Sequence, residues 1–168
     1  MIIVTNTLHQ RGSAATGLIC ALCAAQGDMF LGISRRLYLL GFVASLATKL
    51  ADTFASEIGK AYGKTTFLIT TFERVSPGTE GAISVEGSIA SVVGGLLLAT
   101  YGYFVGFIDL PSVGIATGAA FMATNVESLL GATLQGRKGF KWMTNEVVNF
   151  VNTLLGAGFA IVGGMALL

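Results

Sequence analysis

Between Val113 and Leu134 the chain carries one charged side chain, Glu127, and between Asn145 and Leu168 again only one, Glu146. A helix crossing the hydrocarbon of a bilayer needs about 20 mainly apolar residues, and both runs supply them. Lipid offers no partner to a backbone N–H or C=O, so a span has to satisfy its own backbone, as a helix does. The composition agrees: 53% of the 168 residues are hydrophobic and 11% charged, against roughly a quarter charged in soluble domains. The expected fold is all-α, a polytopic transmembrane helical bundle forming a single integral membrane domain over residues 1–168. A net charge of +1 gives no reason to expect a nucleic-acid partner. The first residues show neither the basic n-region, apolar core and cleavage site of a secretory signal nor the Arg- and Ser-rich pattern of a transit peptide, so neither is expected from them.

Five helices are expected: about Ala14 to Ala25, which is short for a span, then Leu37 to Lys60, Gly81 to Ile108, Val113 to Gln135 and Asn145 to Leu168. Small residues recur where leucine is usual, in the pairs Gly102 and Gly106, Gly114 and Gly118, and in the stripe Ser84, Ser88, Ser91 and Gly95. Such residues let helix backbones approach closely in lipid, so the bundle should be tight. Cys20 and Cys23 form a C-x-x-C without a second pair, and His9 is the only histidine. Structural metal sites usually take four ligands, so these cysteines read as small apolar helix residues.

Two polar loops, Gly59 to Glu80 and Gly136 to Thr144, fall on one side if five helices alternate. With Arg11 that side holds seven basic residues (Arg11, Lys60, Lys64, Arg74, Arg137, Lys138, Lys141), against Arg35 and Arg36 opposite. Excess Lys and Arg marks the cytoplasmic or stromal face, so both loops should face the compartment that holds nucleotides.

Charges inside the spans are the informative ones, because a charge at mid-membrane costs from about 2.5 kcal/mol upward and faces a partner or a polar cavity. At helical period, Ser45, Lys49, Asp52, Ser56 and Lys60 share a narrow arc of the second helix, with Thr53 beside it and Glu57 at its edge. The fourth helix collects Thr124, Asn125, Glu127, Ser128 and Gly131 on one half. The fifth opens with Asn145, Glu146, Asn149, Asn152 and Thr153, and Glu86 stands near the start of the third. Individual pairs, Lys49 with Asp52 or Asp52 with Lys60, would serve as packing ties. Acids and amides converging from several helices are better explained by a polar pocket near the membrane edge that carries the loops.

Carboxylates with amides and hydroxyls suit a hard ion such as Mg²⁺. The rim offers Lys60, Lys64, Arg74 and the hydroxyls of Thr65, Thr66 and Thr79. In "SPGTEGAIS", Ser76 to Ser84, glycines just before the third helix would let backbone N–H groups meet an anion at a helix N-terminus. "GKAYGKTT", Gly59 to Thr66, has a phosphate-loop look, but its spacer is one residue short of G-x-x-x-x-G-K and it follows a helix instead of a strand. It reads as the exit of a polar membrane helix whose lysines act as point charges.

The run "ADTFASEIGKAYGKTTFLITTFERVSPGTEGAISVEG", Ala51 to Gly87, resembles the signature of the phytyl-phosphate kinases of the vitamin E pathway. These belong to a larger family of small membrane proteins of plants, algae and prokaryotes. "LGFVASLATKL" before it, and "ESLLGATLQ" and "MTNEVVNFVNTLLGA" after it, fit the same pattern in the same order, nearest to the plant and cyanobacterial branch. The resemblance covers roughly residues 9 to 160. It implies that the family's N-terminal membrane helices are lacking from this chain. It also implies a plastid membrane in a eukaryote, or a plasma or thylakoid membrane in a bacterium.

The reaction so implied moves the terminal phosphoryl group of CTP or UTP to phytyl phosphate, in tocopherol and phylloquinone biosynthesis. Under that reading Asp52 would ligate Mg²⁺, with Glu57 and Glu127 assisting, and Lys49 would neutralise phosphate at depth. Lys60, Lys64 and Arg74, with the turn Thr79, Glu80, Gly81, would hold the triphosphate. Asn145, Glu146 and Asn149 would contact ribose, base or metal-bound water. The partners are then the bilayer, a prenyl phosphate and a nucleoside triphosphate; oligomeric state and prenyl length are not legible. The rival classes are a transporter, whose polar groups should trace a route across the bilayer, and a non-catalytic structural subunit. A kinase or cytidylyltransferase for another prenyl lipid is the nearest alternative within the enzyme class.

Overall fold

The computed structural model describes residues 2–134, 139–140 and 142–168, the side chains of residues 2–13 excepted. Gln135 and Gly136, the expected end of the fourth helix and start of the second loop, together with Arg137, Lys138, Lys141 and the side chain of Arg11, lie outside the described residues. Among the described residues five helices follow one another: α1 (Ile2–Ala25), α2 (Arg35–Tyr62), α3 (Val85–Phe104), α4 (Leu110–Thr133) and α5 (Asn145–Leu167). Four of them, α2 to α5, are long and apolar enough to cross a membrane. Two short antiparallel hairpins complete the described fold, β1 (Met29–Phe30) with β2 (Ile33–Ser34), and β3 (Thr66–Leu68) with β4 (Ala82–Ser84).

The bundle is organised around α2. It packs against all four other helices, which follow one another around it in the order α1, α5, α4, α3. Its buried side is built from small and branched residues, and Leu40, Val43 and Ala44 meet Ala99, Ala116, Ala119 and Ala160 in the main core. Alanine and glycine at these contacts bring backbones together, which in lipid supplies van der Waals contact that hydrophobicity cannot. At Gly156 of α5 an added Cβ would run into Thr48 of α2. Thr48, fully buried, turns its hydroxyl back to the Ala44 carbonyl at 2.8 Å, the usual way a hydroxyl is satisfied inside an apolar helix.

Several expectations need correction. α1 extends N-terminally of the expected Ala14, and its apolar stretch Ala14–Ala25 is shorter than the four candidate spans. α3 starts at Val85, four residues after Gly81, because Gly81 has φ +75, outside helical geometry, and the Ser84 hydroxyl accepts from the Gly87 N–H as an N-cap. The loop from Gly59 is not wholly irregular: Lys60 to Tyr62 finish α2, and Thr66 to Leu68 pair with Ala82 to Ser84. The glycine pairs divide. Gly102 packs on Val43, but Gly106 sits in the turn after α3 at φ +78, and Gly114 and Gly118 face open space on the outside of α4. Cys20 and Cys23 are free thiols within α1, as read from their surroundings.

Candidate active site

A cavity of about 850 Å³ opens at the end of the bundle where α2 and α4 finish and α3 and α5 begin. α2, α4 and α5 each contribute part of the polar face expected from its period, while Ser45, Glu86, Asn152 and Thr153 lie outside the lining. α2 supplies Lys49, Asp52, Ser56 and Lys60; α4 supplies Thr124, Asn125, Glu127 and Ser128; α5 supplies Asn145 and Asn149. The approach to β4, Gly78 to Gly81, forms a roof, and an added Cβ at Gly81 would collide with Ser128 and Ala132 of α4. Glycine is required there both for its positive φ and for that close seat.

The floor is a network joining three helices. The Lys49 ammonium donates to Asp52 at 3.1 Å and to the amide oxygen of Asn149. Asn149 donates in turn to the Asn145 carbonyl at 2.8 Å. Glu127 stands beside Asp52 in the cavity lining, with Glu80 and Lys49 near it. Asn152, with no exposed surface, donates to Glu127 at 2.7 Å. Among the described residues two buried polar atoms have no partner, the hydroxyl of Ser91, which lines the cavity, and the amide oxygen of Asn152.

Of the thirteen residues given a role in the site from the sequence, nine line one cavity: Lys49, Asp52, Lys60, Thr79, Glu80, Gly81, Glu127, Asn145 and Asn149. Four do not line it. Glu57 is 72% exposed and pairs with Lys60 at 3.7 Å, so it does not stand with Asp52 and Glu127. Lys64 is exposed beside α3, its backbone N–H reaching Glu86 at 3.4 Å. Arg74 is exposed on the β3–β4 connection, opposite Phe67. Glu146, in the first turn of α5, lies outside the lining. Among the described residues no three His, Cys, Asp or Glu side chains come together as a metal-binding group.

Ser84, Ser88 and Ser91, which read as a packing stripe, also line the cavity. Their spacing was visible, but small residues on an apolar helix look alike whether they face a neighbour or a void. Asn152 stood out as polar on α5, whereas its bond to Glu127 depends on how far α4 and α5 are shifted along each other.

Fold and cavity together define a polytopic helical membrane protein with a polar site sunk into one end of its bundle. The chain belongs to the integral membrane protein family DUF92, whose model matches residues 10–157. It is 56% identical over 151 residues to an uncharacterized membrane protein of Synechocystis sp., sll0875, covering 89% of this chain and 56% of that protein. It is 46% identical over 151 residues to Protein VTE6, chloroplastic, of Arabidopsis thaliana, covering 90% of this chain and 45% of that protein. An uncharacterized membrane protein of Methanocaldococcus jannaschii, MJ0933, is 39% identical over 118 residues, 70% of this chain and 48% of its own. The chain thus spans about half the length of the curated relatives it matches. No solved structure matches it.

Proposed function

We propose that this cavity is the phosphoryl-transfer site of a membrane prenyl-phosphate kinase, one that converts phytyl phosphate to phytyl diphosphate with CTP or UTP as donor. The observation that carries the reading is the meeting of Asp52 and Glu127 under Lys49, in a cavity whose mouth carries Lys60 and the Thr79 to Gly81 turn. The similarity to Protein VTE6 and the resemblance of Ala51 to Gly87 to phytyl-phosphate kinases support the choice of acceptor.

The donor set fits a hard divalent cation. The carboxylates of Asp52 and Glu127 and the unpartnered hydroxyl of Ser91, all in the cavity lining, are oxygen donors, and Mg²⁺ is usually held by one or two carboxylates together with water and substrate phosphates. Asp52 and Glu127 would hold it; when bound it neutralises phosphate charge. Lys49 sits at the floor as a fixed positive charge for the acceptor phosphate. Lys60 and the backbone of the Gly78 to Gly81 roof take the donor phosphates, and Asn145 and Asn149 orient the nucleoside.

The acceptor is a phosphate monoester, whose second pKa of about 6 leaves it mostly dianionic near neutral pH. One of its oxygens attacks the terminal phosphorus of the donor, a new P–O bond forms, the bond to the bridging oxygen breaks, and the nucleoside diphosphate departs with that electron pair. No histidine base is needed, because phosphoryl transfer rests mainly on alignment and electrostatics. The test supplies membranes containing the chain with labelled phytyl phosphate, Mg²⁺ and CTP, UTP, ATP or GTP in turn. Diphosphate product with CTP or UTP is the expected result; no product with any nucleotide would overturn the reading.

A further inference from the structure

Among the described residues only two besides glycine have positive φ, Leu31 at 50° and Phe72 at 56°. Both are large and apolar, and both project outward, Leu31 being 80% and Phe72 70% exposed. Bulky side chains at positive φ are rare, since the left-handed region suits Gly, Asn and Asp. Leu31 and Gly32 form the two-residue turn between Phe30 and Ile33, both at positive φ, where a type I′ turn strongly favours Asn-Gly or Gly-Gly. Phe72 closes the turn after β3, its N–H bonded to the Leu68 carbonyl at 2.8 Å. Both tips thus combine an unfavourable backbone with an apolar side chain directed away from the protein.

The two tips lie beyond opposite ends of α2. At a rise of about 1.5 Å per residue, its 28 residues reach from one headgroup region to the other across a hydrocarbon core of about 30 Å. Leu31 stands in the short connection between α1 and α2, next to Arg35 and Arg36. Phe72 stands between α2 and α3, at the end where Tyr62 and Trp142 are also exposed. Aromatic residues at this level are those that settle in the membrane interface.

We propose that the β1–β2 and β3–β4 tips are interfacial anchors, with Leu31 seated in one leaflet and Phe72 in the other, each at the boundary between headgroups and acyl chains. The Phe72 anchor has a consequence for the site that rests on the kinase reading. β4 continues from the Gly78 to Gly81 roof, so a β3–β4 unit tied to the leaflet holds the cavity mouth at headgroup depth, where a phosphate carried on a lipid tail arrives sideways from the bilayer.

The test uses the chain's single tryptophan, Trp142. With Trp142→Phe as background, Phe72→Trp and Leu31→Trp are each placed in phosphatidylcholine–phosphatidylglycerol vesicles. Blue-shifted emission, quenched by phosphatidylcholine brominated near the glycerol end of its acyl chain and little by aqueous iodide, is expected for both. Water-like emission quenched chiefly by iodide at either tip overturns the proposal. Phe72→Asn gives an independent sign: asparagine relieves the backbone, so a higher Tm in vesicles contradicts anchoring and a lower one supports it. None of these readings depends on turnover. In the kinase assay, Phe72→Asp should raise KM for the prenyl phosphate several-fold and leave KM for the nucleotide unchanged; equal changes in both would break the link to the acceptor.

Discussion

Asn152 of α5, with no exposed surface, donates its amide hydrogen to the Glu127 carboxyl of α4 at 2.7 Å, and its own amide oxygen is left without a partner. The pair fixes the Glu127 side chain against the floor of the cavity and ties two helices that otherwise meet through small apolar residues. Replacing Asn152 by Leu removes the donor and leaves the half-buried Glu127 beside Asp52 with one fewer bond. The loss should be about 1–3 kcal/mol of stability, the cost of an unsatisfied buried polar group, with a fall in kcat. Thermal unfolding in detergent and steady-state kinetics read the two effects separately.

Glycines on the inner and outer faces of the bundle should respond oppositely. Gly156→Ala forces a methyl into Thr48 and should destabilise by about 1–3 kcal/mol, the range for overpacking a core. Gly118 faces open space on α4, and Gly118→Ala should be neutral or stabilise by up to about 1 kcal/mol, the helix-propensity difference between the two residues. Comparing the two melting temperatures checks the assignment of inner and outer faces.

Lys60 lines the cavity whereas Lys64 does not. Lys60→Gln is expected to raise the apparent KM for the nucleotide several-fold with little change in that for the prenyl phosphate. Lys64→Gln should have the smaller effect, and initial-rate measurements over a range of nucleotide concentrations rank the two.

At the opposite end of the bundle Asp109 accepts from the Ser112 hydroxyl and from the Arg36 guanidinium. The Ser112 hydrogen bond, followed by the Arg36 charge, holds its carboxyl below the ordinary value. A depressed folded-state value contributes stability above the ordinary carboxylate pKa, and that contribution is lost as the pH falls through the lowered value. Both side chains are about half exposed, so solvent screens the pair and the amount is small, about 0–1 kcal/mol as for surface pairs. Stability of the native chain should fall slightly more than that of Asp109→Asn on acidification below the usual carboxylate range, as measured by unfolding across pH.

Much of the fold was legible because lipid imposes length and period. The polar arc of α2 at 3.6-residue spacing placed Lys49, Asp52, Ser56 and Lys60 correctly, since a helix face is a local property. Glu57 lay at the edge of that arc, and which way an edge residue turns depends on the neighbouring helix; here it turns out to Lys60. The β3–β4 hairpin was hidden because strands of three residues have no usable alternation, and their pairing spans a long connection. Gly114 and Gly118 looked like a contact because spacing reports a shared face without saying what covers it. Ser91 carried the same ambiguity, read as packing and found at a cavity wall.

The claim on which the rest depends is that phosphate chemistry takes place where Asp52 meets Glu127. The most direct measurement is the rate of diphosphate formation by Asp52→Asn in vesicles, with folding confirmed by a native-like melting transition. The account predicts a loss of about a hundredfold or more, comparable with removal of a major electrostatic contributor at an active site. Turnover near that of the native chain would contradict it.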